Sequence, residues 1–218
     1  MAAFYRRFAK RPADLVLAVT CLIVSCPLLV LIALAVRLES RGPVLFRQAR
    51  IGRHLRPFQI LKFRTMRPTP TSAQTLITAA ADPRITRVGR ILRRTKLDEL
   101  PQLWNIVRGD MSLVGPRPEV EKYVSQGYSA ADKATIFALR PGLTDPMSLE
   151  LYAEEQLLQG QPDIEKFYLD VLLPRKIHAY RKYVDHLSLV GDLQIVLATL
   201  RTVVISMANL AGAPSKSS

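Results

Sequence analysis

The sequence LVLAVTCLIVSCPLLVLIALAV, Leu15 to Val36, is a run of 22 residues without a charged side chain. A helix of about 20 apolar residues is long enough to cross the hydrocarbon core of a bilayer, which is roughly 30 Å thick. A secretory signal peptide is disfavoured, because the run is longer than the usual apolar region and RLESRG after it is not a small-residue cleavage site. The run therefore predicts a membrane-inserted N-terminal helix, which we assign to residues 1–40.

Two features of this run argue against a simple membrane span. Pro27 lies near its middle, shortly after Ser25, and a proline inside a helix removes a backbone hydrogen bond and bends the helix. Both flanks are basic, with four Arg or Lys residues before the run and Arg37 and Arg41 after it. The positive-inside tendency would keep both ends in the cytoplasm. Two topologies therefore remain open: a re-entrant helix that breaks at Ser25–Pro27, or a single span kinked by proline.

The charge of the chain is strongly positive and unevenly distributed. The formal net charge is +13, and no carboxylate occurs between Glu39 and Asp82. Such a chain favours anionic partners: nucleic acid, acidic lipid or phosphorylated small molecules. Cys21 and Cys26 both lie inside the apolar run, so they predict neither a disulfide framework nor a metal site.

Two segments after the apolar run predict a β-hairpin. They are PVLFRQARIG (43–52) and RPFQILKFRTM (56–66), joined by a short polar turn. The period of two residues along a strand places Lys62 and Arg64 on the same face, a spacing that suits a bound phosphate. A solvated basic strand face would show the same pattern, so both interpretations stay open.

The basic segment RITRVGRILRR (84–94) follows, with an apolar stripe along one side of a helix. Such a helix can lie on anionic lipid headgroups, or it can present a solvated basic face. In the C-terminal third, the sequence predicts a helix that starts near Pro174 and an amphipathic helix after Gly191, packed on the body or lying in the membrane interface. Residues 67–83 are predicted to form a loop and 212–218 a disordered tail.

Two adjacent carboxylates, Asp98 and Glu99, stand within RRTKLDELPQLWN (93–105) and follow a segment, Arg84 to Lys96, that has six basic residues and no acid. Pro101 fits the first turn of a helix, so we expect a helix from near Asp98 to Gly109. Carboxylates at a helix start are favoured by the helix dipole. In this cationic setting the pair can be a helix cap, a salt-bridge site or a catalytic pair.

Arg117 is held between Pro116 and Pro118. Prolines on both sides restrict the backbone, so less conformational entropy is lost when the guanidinium binds a ligand. An arginine placed in this way near the acidic pair predicts a diphosphate site. The surrounding cations or a divalent metal would have to offset the repulsion between the carboxylates and a phosphate.

Three of these segments together resemble a known family. KFRTM (62–66), the stretch from DPRIT to GPRP (82–118) and RPGLT (140–144) are similar, in this order, to the bacterial sugar transferases. This family comprises the polyprenyl-phosphate sugar-1-phosphate transferases, and the size of the chain matches its small monotopic phosphoglycosyl transferases. After RPGLT the chain departs from the family pattern, which leaves the role of residues 145–160 open.

The resemblance implies the site and its chemistry. The family's catalytic dyad falls on Asp98 and Glu99: Asp98 would attack the sugar-bearing phosphoryl group of a UDP-sugar, and Glu99 would hold Mg²⁺. The cations that would bind the phosphates are Lys62, Arg64, Arg93 and Arg117. The family's N-terminal helix is re-entrant, and its break would correspond to Ser25–Cys26–Pro27, where the intervening cysteine departs from an adjacent Ser-Pro pair.

The expected fold is α+β and mostly α-helical, with a re-entrant N-terminal membrane helix, a small β-hairpin and interfacial amphipathic helices. Residues 41–211 would form the catalytic domain, on the cytoplasmic face of the bacterial inner membrane. The expected partners are a UDP-sugar, polyprenyl (undecaprenyl) phosphate and membrane lipids, with no nucleic acid. The product would be a polyprenyl-linked sugar diphosphate that initiates synthesis of a surface glycan.

Two other functions are compatible with the residues. One is a membrane-anchored basic protein that binds lipid or nucleic acid without catalysis. The other is an enzyme that transfers the whole glycosyl group and therefore releases UDP, whereas transfer of a sugar-1-phosphate releases UMP.

Overall fold

The computed structural model describes residues 5–67, 82–147, 157–158 and 161–211. This part of the chain is mostly helical and carries two small sheets, which confirms the expected α+β class. The helices are α1 (Lys10–Glu39), α2 (Arg87–Thr95), α3 (Gln102–Arg108), α4 (Glu121–Gly127), α5 (Ala130–Ile136), α6 (Ile164–Phe167), α7 (Leu173–Asp185) and α8 (Leu189–Ala211). The strands are β1 (Leu45–Ile51), β2 (Pro57–Phe63), β3 (Ser112–Val114) and β4 (Gly142–Thr144). The expected loop over most of 67–83, most of the divergent segment 145–160 and the expected tail 212–218 lie outside the described residues.

Helix α1 runs without interruption through Ser25 and Pro27, so the predicted separation into two helices at this site is not seen. The Ser25 hydroxyl donates to the carbonyl of Cys21, at 2.6 Å. A proline is tolerated inside an apolar helix when side chains and local adjustments re-satisfy the backbone around it. The re-entrant topology therefore stays a prediction, without a helix break to support it.

Both halves of α1 pack against the body of the protein. Ala18 in the first half contributes to one apolar cluster with α3, and Ile32 and Val36 in the second half contribute to another with Phe63 and Leu92. Between these contacts the helix exposes a series of large apolar side chains, among them Ile23, Val24, Leu28 and Leu31. Helices α1 and α8 are each long and apolar enough to cross a membrane, by length and composition.

The predicted hairpin is confirmed. Strands β1 and β2 pair antiparallel, with Phe46 opposite Lys62 and Arg50 opposite Phe58. Cross-strand partners project from the same face of a sheet, so Arg50 and Lys62 share one face. The second sheet, β3 with β4, is parallel and was not predicted. Here the two backbones approach so closely that a Cβ on Gly142 would lie 2.2 Å from the amide nitrogen of Gly115.

The segment that carries the acidic pair lies between α2 and α3. Helix α2 begins after Thr86, whose hydroxyl accepts from Gly89, and the carboxylate of Glu39 accepts from the first two amides of the helix. The expected helix from Asp98 to Gly109 is shorter than predicted. Leu97–Glu99 form a 3₁₀ turn, α3 begins at Gln102, and only the end at Gly109, with φ of 93°, is as expected.

Both predicted C-terminal helices are present, but the first is preceded by further helical residues: α6 continues through a π-helical turn, Tyr168–Leu172, into α7, so the helical segment begins at Ile164 and not near Pro174. A buried polar network joins these helices to the start of α1. The carboxylate of Asp192, in α8, accepts from the hydroxyls of Tyr5 and Tyr183, both at 2.7 Å, and from Lys10 at 2.5 Å. Farther along, α8 crosses the body, where the hydroxyls of Thr199 and Thr144 are 2.6 Å apart. The two long apolar helices are thereby fixed to the same body.

Candidate active site

A cavity of about 1440 Å³ opens between the hairpin, the α2–α3 segment and the loops that follow β3 and β4. Its wall contains all six residues that the sequence pointed to: Lys62, Arg64, Arg93, Asp98, Glu99 and Arg117. The structure thus brings together side chains from four separate segments of the chain.

Glu99 is buried, with 7% of its surface exposed, and two cations hold its carboxylate. Oε1 accepts from Lys62 Nζ at 2.7 Å and from Arg117 Nη2 at 2.6 Å, and Oε2 receives a longer contact of 3.5 Å from Arg117 Nη1. Burial by itself raises the pKa of this carboxyl, but the charges of Arg117 and Lys62 outweigh it. The pKa of Glu99 therefore lies well below its usual value, and the group is ionised at neutral pH.

Asp98 is as deeply buried as Glu99, but its environment is the opposite. Its Oδ1 has no hydrogen-bond partner among the described residues. Burial, reinforced by the charge of Glu99 and opposed by Lys62, raises the pKa of Asp98 to about 6. A carboxylate that is ionised at neutral pH and keeps one oxygen free of hydrogen bonds is a stronger nucleophile than one that is fully paired.

The structure decides between the local interpretations of the acidic pair. Neither carboxylate caps α3, because no side-chain cap bond is made at the start of that helix or of the 3₁₀ turn. The helix-cap interpretation is therefore wrong. The salt-bridge interpretation holds for Glu99, and the arrangement of both groups in one cavity is compatible with a catalytic pair.

The other predicted cations differ in what they contact. Arg93, at the end of α2, lines the cavity, and its charge lowers the pKa of Asp98. Arg64 also reaches the cavity wall, but its Nη2 donates to the carbonyls of Val36, at 3.3 Å, and Ser40, at 2.7 Å. It thus binds the carboxyl end of α1, where a cation is favoured by the helix dipole. The expected pairing of Arg64 with Lys62 on one strand face does not arise, because β2 ends at Phe63.

Asn105 is a structural residue of the site that sequence reasoning missed. It is completely buried in α3, where its Oδ1 accepts from the amide of Leu61 at 3.0 Å and its Nδ2 donates to the carbonyl of Gln59 at 2.8 Å. These bonds fix β2, and therefore Lys62, relative to the acidic pair. The signal in the sequence is an amide in the middle of the otherwise apolar run LWNIV.

A second group of missed residues lies beside Arg117. Arg50, Glu119, Tyr168 and Lys176 line the same cavity and contact one another. Glu119 directly follows the Pro-Arg-Pro element, which is a signal that could have drawn attention to it. Tyr168 and Lys176 lie about 50 residues farther along the chain, and nothing in the sequence brings them to this place.

The described side chains of the cavity can supply only some of the ligands that a magnesium ion needs. Among the described residues, no group of three or more His, Cys, Asp and Glu side chains is placed to hold a metal. Mg²⁺, however, is commonly bound by one or two carboxylates together with substrate phosphates. The weakly contacted Oε2 of Glu99 fits such a site in the presence of a diphosphate, and the unpaired Oδ1 of Asp98 lies in the same cavity.

The sequence of the chain is similar to a known family and to several named proteins. Residues 5–206 match the family described as bacterial sugar transferase. The chain is 44% identical over 193 residues to a UDP-glucose:undecaprenyl-phosphate glucose-1-phosphate transferase of Caulobacter vibrioides, covering 88% of this chain and 68% of that protein. It is 35% identical to a UDP-N-acetylgalactosamine-undecaprenyl-phosphate N-acetylgalactosaminephosphotransferase of Aeromonas hydrophila, covering 90% of this chain and 44% of that protein.

A third relative is similar in length. The exopolysaccharide production protein PSS of Rhizobium leguminosarum is 35% identical over 196 residues, covering 88% of this chain and 92% of that protein. Of several other relatives, the chain spans less than half the length. Since the family match extends over nearly the whole sequence, the chain belongs to the bacterial sugar transferase family.

Proposed function

We propose that this protein transfers a sugar-1-phosphate from a UDP-sugar to a polyprenyl phosphate through a covalent intermediate on Asp98. One observation carries the proposal: two adjacent buried carboxylates share a cavity, one clamped by two cations and the other with an unpaired oxygen. The different surroundings divide the pair into an electrostatic partner, Glu99, and a nucleophile, Asp98.

In the first step, an Asp98 carboxylate oxygen attacks the phosphorus that bears the sugar. The bond between that phosphorus and the bridging oxygen breaks, UMP leaves with the bonding electron pair, and an acyl phosphate forms on Asp98. Because the pKa of Asp98 is about 6, the nucleophile is mostly ionised at neutral pH without an external base.

The cations of the site neutralise the charge of the diphosphate. Lys62 and Arg117 already converge on Glu99, and a diphosphate brought against Asp98 would lie within reach of both. When bound, Mg²⁺ would screen the diphosphate and stabilise the leaving phosphate. Glu99, with the phosphate oxygens of the donor, would hold it. Arg93 adds positive charge from the end of α2.

In the second step, a phosphate oxygen of the polyprenyl phosphate attacks the same phosphorus. The bond to Asp98 breaks, the carboxylate is restored, and the product is a polyprenyl diphosphate sugar. The names of the relatives support this acceptor, since two of them specify undecaprenyl phosphate. They specify glucose in one case and N-acetylgalactosamine in the other. The donor sugar of this chain therefore has to be identified by testing several UDP-sugars.

We infer that the protein works on the cytoplasmic face of the bacterial inner membrane, as the first step in building a surface glycan. The name of the Rhizobium relative, an exopolysaccharide production protein, supports the glycan role. The soluble nucleotide donor supports the cytoplasmic face, and the polyprenyl phosphate headgroup lies at the same surface. The basic residues of α2 are suited to anionic headgroups.

We further infer that α1 enters the membrane without carrying the chain across it. Residues before Ser25 and residues after Pro27 both pack on one body, and this is more easily reconciled with both ends on one side. A tag at the N-terminus and a probe in the exposed turn Arg53–Leu55, which follows α1 and precedes α8, are compared for accessibility in sealed vesicles to test the point. We expect the tag and the probe to have the same accessibility, and opposite accessibility would refute the re-entrant topology.

Release of nucleotide from a panel of UDP-sugars tests the main proposal. We expect UMP from at least one donor, in amounts that depend on Mg²⁺ and, beyond one equivalent, on polyprenyl phosphate. Release of UDP would instead indicate whole-glycosyl transfer. No nucleotide from any donor would favour a non-catalytic basic binding protein.

A further inference from the structure

The element that presents Arg117 is held from one side by the hairpin. Arg50, on β1, donates from Nη1 to the carbonyl of Pro118 at 3.3 Å, and the same nitrogen lies 3.6 Å from Oε1 of Glu119. The next residue of the strand, Ile51, donates its amide to the carbonyl of Glu119 at 2.8 Å. The backbone on the carboxyl side of Arg117 is thus fixed by three contacts to β1.

The same element is held from the other side by the C-terminal helices. The hydroxyl of Tyr168 donates to Oε2 of Glu119, and Lys176 Nζ donates to the Tyr168 oxygen at 3.2 Å. The ammonium group also lies 4.6 Å from the centre of the Tyr168 ring, a favourable cation–π distance. Glu119 is 8% exposed, and Tyr168 and Lys176 are each 4% exposed.

The contacts form one continuous series: the Lys176 ammonium, the Tyr168 hydroxyl, the Glu119 carboxylate and the Arg50 guanidinium. A buried network of this kind rigidifies its surroundings when its members are satisfied, because removing one member leaves a buried charge or hydroxyl without its partner. The network touches the backbone next to Arg117, and Arg117 in turn holds Glu99 at 2.6 Å. Its effect on the reacting groups therefore passes through the position of Arg117.

We propose that Arg50, Glu119 and Tyr168 are positioning residues for the phosphoryl transfer, which hold the Pro-Arg-Pro element so that Arg117 meets both Glu99 and the donor diphosphate. The inference rests on the proposed function. It assigns a role to Tyr168, which lies beyond RPGLT (140–144), the last segment on which the family resemblance was based. The rigid arginine that the two prolines predict thus depends on tertiary contacts as well as on the prolines.

A double-mutant cycle with Arg117 tests this role. Tyr168→Phe removes only the hydroxyl and leaves the ring packed against Tyr123, at a centroid distance of 4.8 Å. We measure the rate of UMP release in a single turnover without acceptor, with Arg117 intact and again in an Arg117→Lys background. We expect a loss of about tenfold with Arg117 intact, since small displacements of a catalytic cation are costly. In the Arg117→Lys background we expect less than about a twofold further loss, because residues that act through one group are not additive.

The controls separate positioning from general stability. Lys122→Met breaks the exposed ion pair with Glu165, between α4 and α6, and should change neither rate nor melting temperature. If the Tyr168→Phe protein does not fold, Arg50→Lys takes its place in the double-mutant cycle with Arg117→Lys. Equal losses in both backgrounds, or no loss with Arg117 intact, would overturn the positioning role. A wild-type protein that releases no UMP would overturn the proposed function and this inference with it.

Discussion

Replacing Asp98 by asparagine should make the protein more stable at neutral pH. Burial raises the pKa of Asp98 from its ordinary value of 3.8 to about 6 in the folded protein. The ionised carboxylate therefore opposes folding, and a difference of about two pKa units corresponds to about 3 kcal/mol. This cost is fully present above about pH 7, decreases as the pH falls from about 6 to about 4, and disappears below about pH 3, where the group is protonated in both states. Asparagine carries no charge at any pH, so the variant avoids the cost.

Thermal unfolding of the full chain in detergent micelles, at pH 4.5 and pH 7.5, measures the effect. We expect Asp98→Asn to melt above the wild type at pH 7.5, by an amount equivalent to about 2–3 kcal/mol, and by about 1 kcal/mol or less at pH 4.5. The matched control is Asp192→Asn, which removes a buried carboxylate that three side chains do contact. That change should destabilise the protein by about 3–5 kcal/mol. A variant at position 98 that is no more stable than wild type, or a gain independent of pH, would refute the reasoning.

Three further changes test other parts of the site. Lys62→Met removes the charge that most lowers the pKa of Asp98, and an opposite charge nearby lowers such a pKa by about 1–3 units. The fall in the rate of UMP release on the acid side of its pH profile should therefore move to higher pH. An unchanged pH profile would contradict this. Asn105→Ala leaves two backbone groups of β2 unpaired and should cost about 2–4 kcal/mol in unfolding free energy, measured by chemical denaturation. Gly142→Ala would place a methyl group against the backbone of Gly115 and should abolish folding, assessed by recovery of monodisperse protein in detergent.

Much of the fold could be predicted because its signals are local. The apolar run of α1, the alternation in β1 and β2, and the stop at Gly109 each depend on the sequence immediately around them. The parallel pair of β3 and β4 could not be predicted, because each strand has three residues and the pairing is decided by two facing glycines far apart in sequence. The sequence leaves open whether α1 breaks or only bends at Pro27, because the helix is kept continuous while both of its halves pack on the body, and no local pattern specifies that packing.

The candidate site was predictable in its chemistry and not in its contacts. Asp98, Glu99 and Arg117 stand out by residue type and order, and Lys62 by its strand position. Arg64 shows the limit of the period-two rule, since β2 ends at Phe63 and the Arg64 guanidinium binds carbonyls at the end of α1. The division of labour within the acidic pair depends on burial and on which carboxylate Lys62 and Arg117 contact, and no local pattern specifies either.

We propose that Asp98 carries the sugar phosphate between the two steps. The most direct test of this proposal is the mass of the protein after incubation with a productive UDP-sugar and Mg²⁺ in the absence of polyprenyl phosphate. We predict an added sugar phosphate on the peptide that contains Asp98, one equivalent of UMP, and loss of the adduct when polyprenyl phosphate is supplied. An adduct that persists in Asp98→Asn, or turnover to product without any adduct on Asp98, would show that Asp98 is not the nucleophile.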